Sequence, residues 1–356
     1  MNEYEDLIRA AAADNPQRAS LTEDFGVAAA YLEHPHIFGQ VNGLLEAGAS
    51  PTYVYDPDPA KVATFRERFP GFQAADSFER ILEDPRTRLV TAAGVPSERA
   101  AVGEAVLRSG KDYFVDKAPF TTLEQAAAVR RCIRETGGKY LVFYGERVAT
   151  ESGYFLEKLL ASGLLGRVAH IAIQGPHKLG GTSRPSWFFD KRKTGGILTD
   201  IASHQCDQFL QYGDVNAGEV VFARSANYFH PEKGDWEDYG EAQFRLENGI
   251  ACTSRVDWMT PDGLDVFGDG RLFLSAEKGT VELRKTIDVG RSSEGEKAFV
   301  VDGSGACELR LAGRLGFPFY PRLIEDCVAR TERAMNQERA IAAGEMAVRA
   351  QIWAGG

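Results

Sequence analysis

The chain has 356 residues, of which 44% are hydrophobic and 26% are charged, and its formal net charge is −10 at pH 7. This length exceeds one ordinary core and suits two domains, and the composition is that of a soluble globular protein. The acidic balance and the absence of a basic stripe exclude nucleic acid and anionic membranes as expected partners.

The N-terminal sequence and the cysteines point to the cytoplasm. The first residues, MNEYEDLIRAAAADNPQ, are acidic and lack the basic start and apolar core of a signal peptide. No apolar run approaches the length of a membrane span. The five cysteines are scattered without a C-x-x-C pair. We therefore expect reduced thiols in a cytoplasmic protein, with neither zinc nor redox chemistry at these residues.

The apolar pattern predicts an α/β domain in the first part of the chain. After an amphipathic helix near residues 3–13, short apolar runs alternate with helical periods, which is typical of βαβ units around a parallel sheet. The predicted strands are FGVAAAY, PTYVYD, RLVTAAG, DYFVDK and KYLVFYGE. The predicted helices lie near 36–47, 59–68, 97–109 and 122–136.

The pattern changes at about residue 149 and predicts an α+β domain with a large, mostly antiparallel open sheet. One helix near 151–162 precedes strands at RVAHIAIQGPHK, EVVFARSANYF, YGEAQFRLE, IACTSRVDWM, GRLFLSAEKGTVELRK and KAFVVD. Two helices, near 319–331 and 336–353, close the chain. We predict domains at 1–148 and 149–356, with these last helices packed back on the first domain.

Asp56 is a candidate for cofactor binding. It ends the run TYVYD, about where a dinucleotide fold places the acid that accepts the adenosine ribose hydroxyls. Such an acid favours NAD over NADP because it repels a 2′-phosphate. The alternative is a plain Asp-Pro turn, which the sequence DPDP suits well.

Lys117 follows the strand DYFVDK. A lysine at the carboxyl end of a parallel strand can point its ammonium into the cleft, hold a substrate hydroxyl and stabilise a developing alkoxide. The alternative is an ordinary surface lysine in a loop.

A helix is predicted at GGILTDIASHQCDQFLQYG, with Asp200 and His204 at i and i+4 on its polar side. A carboxylate beside an imidazole can fix its tautomer and raise its basicity, as a general base acting on a secondary alcohol requires. Asp207 and Gln211 share this side, so a solvated helix face is the alternative.

The segment GPHKLGGTSRPSWFFDKRK precedes this helix and is rich in cationic and aromatic side chains. Aromatic planes beside forked donors suit the apolar faces and hydroxyl edges of sugars or cyclitols, and Arg184 or Lys178 could hold a carboxylate. We predict substrate contacts from Arg147, His177, Arg184 and Trp187. The alternative is that the run WFF plugs the core beneath a long loop.

The combination of DKAP after a strand and GGILTDIASH at a helix start resembles the Gfo/Idh/MocA family, named for glucose-fructose oxidoreductase, inositol dehydrogenase and rhizopine catabolism. The usual motifs of that family are Glu-Lys-Pro and Gly-Gly followed by Asp-x-x-x-His. The resemblance runs from about residue 25 to the C-terminal helices. It implies a Rossmann dinucleotide-binding domain and oxidation of a secondary alcohol of a sugar, cyclitol or related polyol by a nicotinamide cofactor.

The resemblance also assigns residues and an assembly. Matched motif to motif, Lys117, Asp200 and His204 form the catalytic group. The stretch AAGVPSER resembles the loop after the family's fourth strand, which would lie along the cofactor. We expect NAD as the cofactor and a homo-oligomer, either a dimer or a tetramer, formed through the C-terminal sheet. The expected cofactor contacts are Leu32, Glu33, His36, Asp56, Val95, Pro96 and Asp116.

One departure from the family is mild. Asp116 stands where the family has Glu, and Ala118 separates Lys117 from Pro119. Charge and position are kept.

The other departure is the loop YLEHPH, which replaces the family's Gly-x-Gly-x-x-Gly. Tyr31 and Glu33 serve poorly where glycines permit a tight turn and a close approach to the diphosphate, and a Glu there would repel it. His34 and His36 beside Glu33 suggest a metal site, but no further ligand stands at a diagnostic spacing, so no metal is expected. His36 could instead donate to a phosphate.

These observations leave three functions open. The leading one is an NAD-dependent dehydrogenase. The alternative is an isomerase, epimerase or lyase without net redox, whose cofactor is tightly bound, altered or absent. The third and weakest is a sugar sensor, which would have no need of an acid and a base.

Overall fold

The computed structural model describes residues 2–180 and 184–355. Contacts divide the chain into two compact units. The parallel-sheet unit comprises Pro16–Phe143 and Pro318–Ile341, and the mixed-sheet unit comprises Met1–Asn15, Tyr144–Phe317 and Ala342–Gly356. This division differs from the predicted boundaries of 1–148 and 149–356.

Every predicted helix and strand has a counterpart. The helices are α1 (Asn2–Ala13), α2 (His36–Glu46), α3 (Pro59–Arg68), α4 (Phe78–Glu83), α5 (Arg99–Arg108), α6 (Leu123–Thr136), α7 (Gly145–Val148), α8 (Glu151–Ala161), α9 (Lys191–Thr194), α10 (Ile197–Asp200), α11 (Ala202–Gly213), α12 (Phe319–Ala329) and α13 (Gln337–Ala354). The strands are β1 (Gly26–Ala30), β2 (Ser50–Tyr55), β3 (Gln73–Ala74), β4 (Thr87–Ala92), β5 (Asp112–Asp116), β6 (Tyr140–Phe143), β7 (Val168–Pro176), β8 (Gly218–Ala226), β9 (Tyr239–Leu246), β10 (Ala251–Asp257), β11 (Arg271–Ala276), β12 (Gly279–Arg284), β13 (Lys297–Asp302) and β14 (Gly305–Arg310). Within the described residues, none of the helices is both long and apolar enough to cross a bilayer.

Two terminal elements explain the division into units. Helix α1 belongs to the mixed-sheet unit, where Lys158 Nζ lies 2.7 Å from Asp14 Oδ2 and the Asn15 amide donates to the carbonyl of Leu315. Helix α12 belongs to the parallel-sheet unit, where the Tyr320 hydroxyl donates to the Gly39 carbonyl over 3.3 Å. The prediction that α1 extends the first domain is therefore corrected, because its polar partners lie in the mixed-sheet unit.

The parallel-sheet unit is built on six parallel strands in the order β3-β2-β1-β4-β5-β6. Strands β1, β5 and β6 are buried along their whole length, as expected for a sheet covered on both faces. Strand order reverses between β1 and β4, and ligands of such sheets bind beyond the carboxyl ends of the strands at this point. The predicted Rossmann-type domain is confirmed.

The mixed-sheet unit contains eight strands in the order β14-β13-β12-β11-β7-β10-β9-β8. Only β7 and β10 pair in parallel among the described strands of this sheet, and the other neighbours are antiparallel. Helix α11 packs against β7, β9 and β10 and is buried almost throughout. The predicted mostly antiparallel open sheet is confirmed.

Candidate functional site

The loop after β1 makes a tight turn without glycine. Tyr31 has φ 54°, in the left-handed region that favours glycine. Its backbone is held from both sides, because its N–H donates to the Tyr55 carbonyl over 3.0 Å and its carbonyl accepts from Ala93 over 3.2 Å. Its ring makes edge contacts with Tyr55 and Phe78, at centroid distances of 5.9 and 5.1 Å. Tyr31 therefore fills the position that the sequence suggested it would serve poorly.

Backbone donors of this loop are used within the protein. The Leu32 N–H donates to Asp56 Oδ2 over 2.7 Å, and the His34 N–H donates to the Ala93 carbonyl over 2.9 Å. The His36 N–H donates to Nδ1 of His34 over 3.3 Å. A glycine-rich loop would offer such groups to a diphosphate. At these three positions the loop offers side chains instead.

Asp56 serves the turn rather than a cleft. The residue is 6% exposed. Its two carboxylate oxygens accept from the N–H groups of Leu32, over 2.7 Å, and Asp58, over 2.9 Å. This is the Asp-Pro turn that the sequence left open. The predicted contact with the adenosine ribose loses its support, and with it the argument against NADP.

Glu33 carries a compensated charge. Its carboxylate forms an ion pair with Lys61 from the first turns of α3, and the two side chains are 25% and 33% exposed. Nζ of Lys61 also lies 4.0 Å from Asp56 Oδ1. The repulsion expected between Glu33 and a diphosphate is therefore reduced by a neighbouring ammonium.

His34, His36 and Asp116 form a compact cluster. Nδ1 of His36 lies 2.8 Å from Oδ1 of Asp116, and Nδ1 of His34 lies 3.3 Å from Oδ2. One potential ligand atom of each residue lies within 4.8 Å of the other two. Sequence spacing could not group Asp116 with these histidines, because it is 80 positions from His36. The cluster supplies the third group that the spacing did not reveal.

The charge states in this cluster follow from burial and from its cations. Burial lowers the pKa of His34 well below its usual value, so its imidazole is neutral. Burial by itself would raise the pKa of Asp116, but His36 and Arg99 hold it far below its usual range. Asp116 is therefore a buried carboxylate that stays ionised.

Arg99 positions the end of β5 and was not predicted from the sequence. It is 1% exposed, and its Nε donates to the Gly94 carbonyl over 2.7 Å. Its Nη1 donates to the carbonyls of Asp116 and Ala118, each over 3.1 Å, and to that of Lys117. The Lys117–Ala118 peptide is cis. Arg99 thereby fixes the backbone from which the 6% exposed Lys117 side chain projects.

Three of the predicted cofactor contacts are apolar. Leu32 follows β1, and Val95 and Pro96 follow β4, the neighbouring strand across the point where strand order reverses. Leu32 is 9% and Val95 7% exposed, and Pro96 begins a short 3₁₀-helix. These residues can supply an apolar surface but few polar contacts to a cofactor.

Asp200 and His204 lie on two successive helices. Asp200 ends α10 and His204 stands in the first turn of α11, with Ile201 interrupting the run. His204 is 3% exposed, and its ring faces the Tyr144 ring at 6.2 Å. The alternative of a solvated helix face is wrong, since Asp207 on α11 is 1% exposed.

A shallow recess in the mixed-sheet unit includes Asp200 in its wall. The wall combines aromatic rings with charged groups, namely Phe188, Lys191, Thr194, Gly196, Ile197, Asp200, Trp236, Glu237 and Trp258. Aromatic faces beside polar groups are the lining chemistry that suits the apolar faces and hydroxyls of a sugar. Trp236, Glu237 and Trp258 were not predicted, because they lie far along the chain from Asp200.

Arg184, a predicted substrate contact in the loop before α10, stacks on aromatic rings of the protein. The Arg184 guanidinium lies over the rings of Phe188, at 4.5 Å, and Trp258, at 4.9 Å, and its Nε donates to the Leu179 carbonyl over 2.8 Å. Burial lowers the pKa of Arg184. Phe188, at 4% exposure, is the core plug that the sequence left open. Residues 181–183 of this loop lie outside the described part of the chain.

The other aromatic neighbours of this loop are partly accessible. The His177 ring contacts Trp258 and Phe267 at 5.5 and 5.1 Å, and its Nδ1 lies 3.0 Å from the Gly175 carbonyl. Its Nε2 lies 3.8 Å from a carboxylate oxygen of Glu146. Trp187 is half-buried against Phe188, at a centroid distance of 6.3 Å.

Arg147 is corrected from a substrate contact to a structural residue. It is 4% exposed, and its Nε and Nη2 donate to the two oxygens of Asp207 over 2.6 and 3.0 Å. Its Nη1 donates to Glu157 over 2.7 Å. Because the guanidinium is committed to two protein carboxylates, it has little capacity left for a ligand.

Comparison with known proteins adds to this geometry. A model of the oxidoreductase family with an NAD-binding Rossmann fold matches residues 26–144, and a model of the GFO/IDH/MocA C-terminal domain matches residues 155–282. A solved structure from Erwinia carotovora atroseptica, provisionally named an oxidoreductase, is 39% identical, with a TM-score of 0.90 over 93% of this chain and 99% of that one.

More distant relatives have named sugar substrates. A levoglucosan dehydrogenase, solved with NADH and levoglucosan, shares the fold with a TM-score of 0.79 at 15% identity, over 94% of this chain and 98% of that one. A D-xylose dehydrogenase of Paenarthrobacter nicotinovorans is 24% identical over 216 residues, which are 59% of this chain and 53% of the relative. The chain spans about half the length of the first curated relatives that it matches.

Proposed function

Because the chain belongs to the Gfo/Idh/MocA oxidoreductase family, we propose that it is a dehydrogenase that oxidises a secondary alcohol of a sugar, cyclitol or related polyol with a nicotinamide cofactor. The observation that carries the substrate class is the recess in which three aromatic rings, Phe188, Trp236 and Trp258, lie beside Asp200. Aromatic rings can stack on the apolar face of a sugar, and the carboxylate can accept from its hydroxyls.

The catalytic roles rest on the match to the family motifs. His204 takes the proton of the reacting hydroxyl, Asp200 orients and supports the imidazole, and Lys117 stabilises the alkoxide that develops. Burial of His204, at 3% exposure, limits competition from water. The nicotinamide, when bound, supplies the hydride acceptor.

The parallel-sheet unit has groups that suit a dinucleotide. Leu32, Val95 and Pro96 would face its apolar rings beyond β1 and β4. His36 and Lys61 would meet the diphosphate through side chains, because backbone donors of the loop are used internally. We propose NAD because the family model describes an NAD-binding fold. NADP is included as a second cofactor in the assay described next.

The test is to incubate tag-free protein with NAD or NADP and a panel of sugars and cyclitols while absorbance at 340 nm is followed. Lys117→Met and His204→Asn should each lower kcat by about 10²- to 10⁴-fold, since each removes a group that assists proton transfer or charge stabilisation. His170→Gln, on strand β7 outside the recess, is the matched control and should leave kcat unchanged. Absence of reduced cofactor with every substrate, together with no binding of NAD or NADP, would reject the proposal.

The second candidate is an isomerase, epimerase or lyase without net redox. The internally used donors of the loop and the engaged carboxylate of Asp56 favour it, because both depart from an exchangeable dinucleotide site. Substrate turnover without accumulation of NADH, and nucleotide released only on denaturation, would support this candidate. Stoichiometric NADH release would argue against it.

We also propose self-association through the outward face of the mixed sheet. The strand register places Phe222, Gln243, Thr253, Ala172 and Phe273 in one row across five strands. Phe222 and Phe273 are each 40% exposed, which is costly for aromatic rings in water. Light scattering of Phe273→Glu should give a smaller mass than the wild type, and equal masses would count against this surface.

A further inference from the structure

The side chains of His34, His36 and Asp116 bring ring nitrogens and carboxylate oxygens close together. The His36 N–H donates to Nδ1 of His34 over 3.3 Å. The same Nδ1 lies 3.3 Å from Oδ2 of Asp116. An ion bound between these two atoms would take both as ligands, in place of the hydrogen bond from the His36 N–H.

The third member of the cluster completes a set of ligands. Nδ1 of His36 lies 2.8 Å from the other oxygen of Asp116, as a hydrogen bond. In a tetrahedral zinc site, ligand bonds of about 2.0–2.1 Å separate neighbouring donor atoms by about 3.3 Å. The separation between His34 and Asp116 already has this value. The His34 contact is to Oδ2 and the His36 contact is to Oδ1, so an ion held by both imidazoles takes both carboxylate oxygens. The separation between His36 and Asp116 then widens by roughly half an ångström as the ion replaces the proton.

We propose that His34, His36 and Asp116 bind one divalent transition-metal ion of the zinc class, in the loop that follows β1. Imidazole nitrogens with one carboxylate favour zinc or cobalt over magnesium or calcium, which prefer oxygen ligands. Three protein ligands leave at least one position for water or an anionic ligand, as in open zinc sites. The 37% exposed side chain of His36 gives the ion access from solvent.

The Arg99 guanidinium limits the affinity of this site for a metal ion. Nη2 of Arg99 lies 3.2 Å from Oδ2 of Asp116, so guanidinium and metal compete for one carboxylate. We therefore expect binding that is weaker than in closed four-ligand structural sites. Arg99 also holds Asp116 in place when no ion is bound, so the fold does not require the metal.

The experiment uses tag-free full-length protein, dialysed against a chelator and then against metal-free buffer. Zinc chloride is titrated calorimetrically, and cobalt chloride is titrated while visible absorption is recorded, since cobalt in a tetrahedral nitrogen and oxygen site absorbs between about 500 and 650 nm. The variants are His34→Gln combined with His36→Gln, and separately Asp116→Asn. His170→Gln, on β7 of the mixed-sheet unit, is the matched control.

The expected result is one zinc ion per chain and a cobalt spectrum, with zinc affinity at least tenfold weaker in both cluster variants and unchanged in the control. Asp116→Asn leaves a buried Arg99 without its carboxylate and can lower stability, so the double histidine variant, with two partly exposed positions, decides the question. No stoichiometric zinc binding by the wild type, or equal affinity in the double variant, would overturn the proposal. The titration contains no nucleotide or sugar, so its outcome is independent of the proposed dehydrogenase activity.

Discussion

Replacing Arg147 separates a structural from a substrate-binding role. In Arg147→Met, the Asp207 carboxylate loses the guanidinium that donates to both of its oxygens over 2.6 and 3.0 Å. Asp207 is 1% exposed, so water cannot replace these donors. Glu157, the other partner, is 26% exposed and can be solvated again.

The expected loss of stability in Arg147→Met follows from the uncompensated charge of the Asp207 carboxylate. Removing one partner of a buried ion pair costs about 3–5 kcal/mol, chiefly because the remaining charge stays buried. For a unit of about 150–250 residues, each kcal/mol shifts the melting temperature by roughly 2–4 °C. We therefore expect the mixed-sheet unit of Arg147→Met to melt about 6–20 °C below the wild type. Combining it with Asp207→Leu should recover much of this loss, since an apolar pair of similar volume carries no stranded charge.

The assay is thermal unfolding by circular dichroism beside steady-state kinetics. Arg192→Met is the matched control, because Arg192 is 89% exposed and pairs with Asp190 at the surface, where water screens such pairs and they contribute little to stability. A melting temperature of Arg147→Met equal to that of the control, together with a KM raised tenfold or more, would refute the structural role. It would restore the substrate contact that the sequence suggested.

Three further changes test the packing, the loop charges and the acid response. Gly43→Ala should lower the free energy of unfolding in urea by about 1–3 kcal/mol, because its new methyl would lie 2.2 Å from the Tyr320 ring of α12. The control is Gly39→Ala on the same helix, where a methyl meets nothing within 4 Å. That control should be neutral or stabilising by up to about 1 kcal/mol. Lys61→Met leaves the Glu33 carboxylate without its ammonium partner and should weaken NAD binding, measured by calorimetry, about two- to fivefold. Unchanged affinity would contradict this. Hydrogen bonds from Arg86 lower the pKa of Asp84 from 3.8 to about 2, so their stabilisation is present above about pH 4 and lost as the pH falls toward 2. Arg86→Met should therefore lose less stability than the wild type across that window, and parallel acid-unfolding curves would count against it.

The helices and strands could be predicted from the sequence wherever a segment was long enough to repeat its apolar pattern. The apolar runs within FGVAAAY, DYFVDK and KYLVFYGE predicted β1, β5 and β6, and the helical period near 122–136 predicted α6. The elements without a prediction are short or polar. Strand β3 has two residues, both exposed, and α4 has six residues. Neither is long enough to repeat the apolar pattern on which such predictions depend, which for a helix takes about 11–18 residues.

A sequence pattern can relate site residues only where they are close along the chain. Asp200 and His204 lie four positions apart, and one continuous helix would make them neighbours, but α10 ends at Asp200 and α11 begins at Ala202. Arg147 and Asp207 are 60 positions apart, and His36 and Asp116 are 80 apart. Taken singly, a residue of either pair suggests a contact with substrate or cofactor. A pattern within one segment of sequence cannot reveal that its partner is a residue from a distant segment.

Glu33→Gly tests how the loop after β1 meets an anion. If the missing glycines alone limited the loop, this substitution should tighten NAD binding tenfold or more. The structure predicts a smaller gain, because the N–H groups of Leu32, His34 and His36 keep their internal acceptors whatever residue stands at position 33. What changes is the ion pair: Lys61 loses the Glu33 carboxylate and becomes more available to the diphosphate, an effect of about two- to fivefold for a partly exposed pair. Calorimetric titration of NAD into Glu33→Gly, with Glu33→Gln as the control that removes the charge but keeps the side chain, distinguishes the two. Equal and modest gains in both variants would mean that charge matters and the glycine does not, whereas a large gain confined to Glu33→Gly would mean that backbone freedom limits this loop after all.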